Sequence, residues 1–108
     1  MLFRSRAAFP DLTTIRLAVP PADALARARH AAAALGWAVT AVDTEALTLE
    51  AYDTTRVFRF VDDIVVRVRP SGSGAAIDLR SNSRVGGGDL GANAARIIAF
   101  RERLKSAG

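Results

Sequence analysis

Between positions 62 and 89 the sequence gathers side chains whose types and spacing could do chemistry together. They are Asp62, Asp63, Arg67, Asp78, Arg80, Ser81, Ser83 and Arg84, then three glycines and Asp89, with Asn93 one turn further on. Carboxylates, guanidiniums and hydroxyls in one neighbourhood serve anion recognition, acid–base catalysis or plain structural ion pairing. Apolar parity decides which of them can meet. Setting Val68 opposite Ile77 and Val66 opposite Leu79 puts Arg67 directly across from Asp78, which predicts a cross-strand ion pair. Arg80 then faces Val65, diagonal to Asp63 and Arg67. Continued, the ladder brings Ser83 opposite Asp62, both on the apolar side. A carboxylate there must be satisfied or must sit on a bulge.

Three readings of this constellation follow. In the first, Gly86-Gly87-Gly88 leads into the N-terminus of a last helix, where free amides and the helix dipole favour an anion. Arg80 and Arg84 would contact a carboxylate or phosphate, Asp62 and Asp78 would hold the arginines, and Ser81 and Ser83 would add hydroxyls. Asp89 instead puts the chain's own carboxylate at that helix end. In the second, the same residues are a lattice of ion pairs worth about 0–1 kcal/mol each. Asp62 would accept hydrogen bonds from Ser81, Ser83 or loop amides, and so order the Gly-rich loop. In the third, Asp62 or Asp63 is a general acid or base and Arg80 an electrostatic stabiliser. Adjacent strand residues point to opposite faces, so the two aspartates cannot share a proton. No imidazole stands between Asp62 and Ser83 to activate a serine.

Other candidates are weaker. His30, beside Arg27 and Arg29 on an Ala-rich helix, reads as a solvated surface residue. Glu50, Asp53 and the aspartate pair lack the loop spacing of a hard-cation site, and nothing matches a nucleotide-binding loop followed by Lys-Ser/Thr. No cofactor and no metal are expected.

The elements that must position these residues follow from periodicity. Thr13 to Val19 alternates as a half-buried strand, and Pro20-Pro21 opens a helix over Ala22 to Leu35 that Gly36 stops. Trp37 to Asp43 and Leu47 to Asp53 are strands joined by Thr44-Glu45-Ala46, and Trp37 reads as core. Arg56 to Arg69 is one long strand run, interrupted at Asp62-Asp63, with Phe58, Phe60, Ile64, Val66 and Val68 inward. A Pro70 to Gly74 loop leads to a strand over Ala76 to Ser81. The final helix runs from Leu90 to about Lys105, with an apolar stripe of Leu90, Ala94, Ile97 and Leu104 and with Phe100 or Ile98 beside it. The expected fold is α+β in the order β-α-β-β-β-β-α: one antiparallel sheet of about five strands with both helices on one face. The shape is similar to TATA-binding-protein-like and helix-grip architectures. A pocket between sheet and last helix, lined by Phe58, Phe60, Ile97 and Phe100, would take a small apolar ligand.

Composition narrows the classes further. The 108 residues carry no Cys and a single His, which excludes disulfides, thiolate chemistry and two-imidazole sites. A net charge of +4 comes almost wholly from arginines spread along the chain, with 6% aromatics, which argues against nucleic acid. No apolar run reaches the roughly 18–20 residues of a membrane span. Residues 1–8 read as a tail and 9–108 as a single domain, soluble and cytoplasmic, or membrane-associated if an anchoring segment precedes Met1.

Longer blocks carry a resemblance. Phe60-Val61-Asp62-Asp63-Ile64-Val65-Val66-Arg67-Val68, then Ile77-Asp78-Leu79-Arg80-Ser81-Asn82-Ser83-Arg84-Val85-Gly86, then Asp89-Leu90-Gly91-Ala92-Asn93-Ala94-Ala95-Arg96-Ile97, resemble the signature of the domain of unknown function 1499 family. Phe9-Pro10-Asp11-Leu12, Gly36-Trp37 and Leu49-Glu50-Ala51 look like its weaker blocks. Gly87-Gly88 departs from the pattern. The resemblance implies no reaction, substrate or cofactor, and its matching residues include all ten polar ones singled out above. The expectation is therefore a non-enzymatic binding or interaction module for an anionic ligand or a protein partner. Acid–base catalysis and apolar ligand binding are the alternatives.

Overall fold

Thr13–Leu17 forms strand β1, with Ile15 buried and Thr14 and Arg16 exposed, as its alternation requires. In this computed structural model, which describes residues 13–54, 61–83 and 90–106, β1 is one edge of the sheet. Helix α1 (Pro21–Ala34) has proline in its first turn and Asp23 near the positive end of its dipole. Gly36, at φ 82°, ends it: the Gly36 amide donates to the Ala33 carbonyl and the Trp37 amide to that of Ala32. This is the paired closure that a left-handed residue after the last turn permits. Ala24, Leu25, Ala28, Ala31 and Ala32 are its buried face, and these small side chains let the helix lie close on the sheet.

The chain then returns as four consecutive antiparallel strands, β2 (Ala38–Asp43), β3 (Thr48–Thr54), β4 (Val61–Ser71) and β5 (Gly74–Ser83), before helix α2 (Leu90–Ser106). The strand order across the sheet is β1-β5-β4-β3-β2, so α1 carries the chain from one edge to the other. The α+β fold and the order β-α-β-β-β-β-α are those the periodicities predict. Two turns adjust the predicted boundaries. Leu47 leaves the strand for the β2–β3 turn at φ 58°, and Asp43 accepts hydrogen bonds from the Glu45 and Ala46 amides at 3.0 Å each. The β4–β5 connection is only Gly72-Ser73, with positive φ at Gly72 alone, as a two-residue hairpin of the type II′ kind prefers. Gly74 packs so close to β1 that a Cβ there would collide with the Leu17 carbonyl oxygen.

One face of the sheet contributes Ile15, Leu49, Ala51, Ile64, Val66, Val68, Ala75, Ile77 and Leu79 to a core completed by α1, Trp37, Phe100 and Leu104. The inward stripe of α2 departs from expectation. Ala94 and Ile98 are exposed and Ile97 is only partly buried, whereas Arg96, Phe100 and Leu104, four residues apart, are buried. An arginine occupies a core position because a buried carboxylate waits for it there. Phe100 lies against Trp37, ring centroids 5.2 Å apart and planes at 14°.

Candidate functional site

The β4–β5 register is the one that apolar parity predicts, with Val66 opposite Leu79, Arg67 opposite Asp78, Val68 opposite Ile77 and Asp62 opposite Ser83. Alternation then splits the polar residues between the two faces of the sheet. Asp62 and Ser81 point toward the helices. Asp63, Arg67, Asp78 and Arg80 point away from them. The candidate site is two separate clusters.

The inner cluster centres on Arg96. Its Nη2 donates to Asp62 Oδ2 at 2.8 Å, its Nη1 to Ser81 Oγ at 3.1 Å and its Nε to Asp53 Oδ2 at 3.3 Å. The register sets Asp53 on β3 directly opposite Asp62 on β4, so one guanidinium bridges two facing carboxylates. Asp62 is satisfied from the last helix, by Arg96. That corrects the expected role of Asp62 in holding Arg80, which lies across the sheet. With side-chain exposures of 4% for Arg96 and 5% for Asp62, the pair is out of reach of solvent. Among the described residues no buried side-chain nitrogen or oxygen lacks a partner. Such a cluster ties α2 to the sheet, with the buried Arg96 and Asp62 committed to each other.

The outer cluster stands on a sheet face that neither helix covers. Thr14, Val65, Arg67, Arg69, Asp78 and Arg80, from three adjacent strands, line a basin of about 350 Å³. The expected Arg67–Asp78 bond is replaced by a diagonal one. Arg69 Nε donates to Asp78 Oδ2 at 2.9 Å, and Thr14 Oγ1 donates to Asp78 Oδ1 at 2.6 Å. The diagonal neighbour across a strand pair is within reach of a side chain as long as arginine. Ala76, buried on this outer face, sits in register between Arg16 and Arg69, whose apolar stems flank it. Arg16 itself donates to Ser71 Oγ at 2.6 Å.

The hydrogen bond from Arg69, aided by that from Thr14 and by the more distant charge of Arg67, holds the Asp78 carboxyl below the usual carboxylate range against the opposing effect of partial burial. A depressed folded-state pKa stabilises the protein above the unfolded-state value of about 4, and the contribution is lost as pH falls through the folded value. Asp78→Asn is therefore expected to be less stable than the parent at neutral pH. The difference should shrink in acid, checked by urea unfolding at pH values on both sides of that range.

Of the remaining predicted residues, Ser83 closes the β5 ladder opposite Asp62 and Asn93 lies within α2, while Arg84 and Asp89 fall outside the described residues, as do the three glycines. Phe58 and Phe60, two walls of the predicted apolar pocket, also fall outside them, and Phe100 is occupied by its stack on Trp37. Sequence reasoning missed Asp53 and Arg96 as partners, and Arg69 as the residue that engages Asp78. The signal for Arg96 was its four-residue spacing to Phe100 and Leu104. Among the described residues no group of three or more His, Asp or Glu could hold a metal ion. No described helix is long and apolar enough to cross a membrane.

The family model for a protein of unknown function, DUF1499, matches residues 3–104, nearly the whole chain. The chain belongs to the DUF1499 family. Both polar clusters fall inside the matched span of this DUF1499 chain, as does every element from β1 to the Leu104 turn of α2. None of the curated proteins matches it significantly.

Proposed function

We propose that this DUF1499 chain is a non-enzymatic binding module in which the sheet face opposite the helices holds an anionic group in the basin between β1, β5 and β4. One observation carries the reading: among the described residues, the guanidiniums of Arg67, Arg69 and Arg80 line a concave surface beside one carboxylate, that of Asp78. Arginine forks recognise carboxylate and phosphate with two parallel hydrogen bonds, and a rigid sheet is a precise support for them. The inner cluster favours this reading over acid–base catalysis, because Asp62 is buried and already bonded to Arg96. The anion contacts move accordingly from the Arg80–Arg84 loop side to Arg67, Arg69 and Arg80.

Arg67→Gln tests the reading. The side chain is exposed, so folding stability should change by no more than about 0.5 kcal/mol. Affinity for small anions, measured by calorimetry with citrate, a polyglutamate peptide and inorganic phosphate at low salt, should fall markedly for whichever of them the parent binds. Equal affinity of parent and variant for all three would contradict it.

A further inference from the structure

A second hollow, of about 490 Å³, lies on the helix side of the sheet, between α1 and the end of β2. Small-molecule sites occupy clefts of roughly 300–1,000 Å³. Ala22, Ala26, Arg29 and Ala33 follow one another at helical spacing along one wall, so the groove runs for three turns of α1, about 16 Å. Val42 and Thr44 form the strand wall, and the buried Leu25 lies at the floor. The hollow exists because Ala22, Ala26 and Ala33, all exposed, put methyl groups where a surface helix ordinarily carries long polar side chains.

Three polar side chains enter this lining, those of Arg29, His30 and Thr44, and among the described residues none of them makes a hydrogen bond or an ion pair. The residues three and four positions from Arg29 along the helix are Leu25, Ala26, Ala32 and Ala33, so no acid on α1 is placed to neutralise it. Among the described residues no carboxylate lines the groove. Asp43, between Val42 and Thr44 in the chain, accepts hydrogen bonds from the Glu45 and Ala46 amides of its own turn. The lining thus joins one fixed, unpaired cation to a wall of methyl groups. We propose that this groove is a binding site for a small monocarboxylate with an apolar body, of the arylalkanoate class. The Arg29 guanidinium takes the carboxylate with its two parallel donors, and His30 and Thr44 add a ring N–H and a hydroxyl. The alanine flank, Leu25 and Val42 cover the apolar body and remove it from water. A single fixed positive charge suits a single negative one. The groove shares no residue with the outer basin and does not depend on it.

The test titrates the full, isotopically labelled chain with phenylacetate, and with acetate and phenylacetamide, which lack the apolar body and the charge respectively. Backbone amide shifts should saturate at millimolar phenylacetate and centre on Ala26, Arg29, His30, Ala33, Val42 and Thr44. Acetate and phenylacetamide should each bind about fivefold more weakly or not at all. Arg29→Gln should weaken phenylacetate binding about fivefold, the factor that corresponds to an exposed charge contact of about 1 kcal/mol. Ala26→Leu should abolish binding by filling the groove. Its urea midpoint should match the parent's, because leucine at an exposed helical position is nearly as good a helix former as alanine. Phenylacetamide binding as tightly as phenylacetate would overturn the carboxylate assignment. Undiminished binding in either variant, shifts centred away from α1 and β2, or no saturable shift at millimolar phenylacetate would overturn the site itself.

Discussion

Replacing Arg96 with methionine is expected to cost about 3–5 kcal/mol of folding stability, the loss typical when one partner of a buried ion pair is removed. Asp62 would be left as a carboxylate almost without solvent contact, facing a second carboxylate, Asp53, across the β3–β4 ladder. Asp53, with 28% of its side chain exposed, can turn toward water, but Asp62 cannot. Methionine keeps most of the arginine's apolar volume, so the deficit reports the lost charge pairing more than a cavity. Adding Asp62→Leu to Arg96→Met should recover much of the loss, because two charges removed together leave no orphan. Urea midpoints of the parent, the single variant and the double variant check this. A single variant within about 1 kcal/mol of the parent would show that the cluster does not hold α2 on the sheet.

Phe100→Ala carries the second large effect, again about 3–5 kcal/mol, through the cavity left by a fully buried aromatic side chain. Its ring also stacks on Trp37, which connects α2 to the segment leading from α1 into β2. Trp37 is the only tryptophan, so its emission reports the site directly. The expected result is a red-shifted native emission together with the lower unfolding midpoint. An unshifted emission would mean that the neighbouring core closes over the gap.

Periodicity and parity made the scaffold readable in advance. Alternating Val66, Val68, Ile77 and Leu79 specify the β4–β5 register, since a slip by one residue would turn every one of them to the wrong face. Gly36 marks the end of α1 for an equally local reason, the need for positive φ. What escaped depends on tertiary pairing. Arg96 reads as a solvent-facing residue in any helical projection that scores charge as polar, and only the carboxylates of β3 and β4 make its burial favourable. Asp53 reads as a surface acid until the β3–β4 register sets it opposite Asp62. The choice of Arg69 over Arg67 as the partner of Asp78 turns on side-chain reach along the diagonal, which a residue-by-residue pairing rule does not contain.

The two clusters therefore divide their work. The inner one consumes its charges in holding a helix, and the outer one stands on a sheet face that neither helix covers. Backbone amide shifts of the labelled protein during titration with phenyl phosphate and with polyglutamate test that division most directly. Perturbations should converge on Thr14, Val65, Arg67, Asp78 and Arg80, with Asp53, Ser81 and Arg96 unmoved. Perturbations centred on Asp53, Ser81 and Arg96, with the outer face silent, would contradict it.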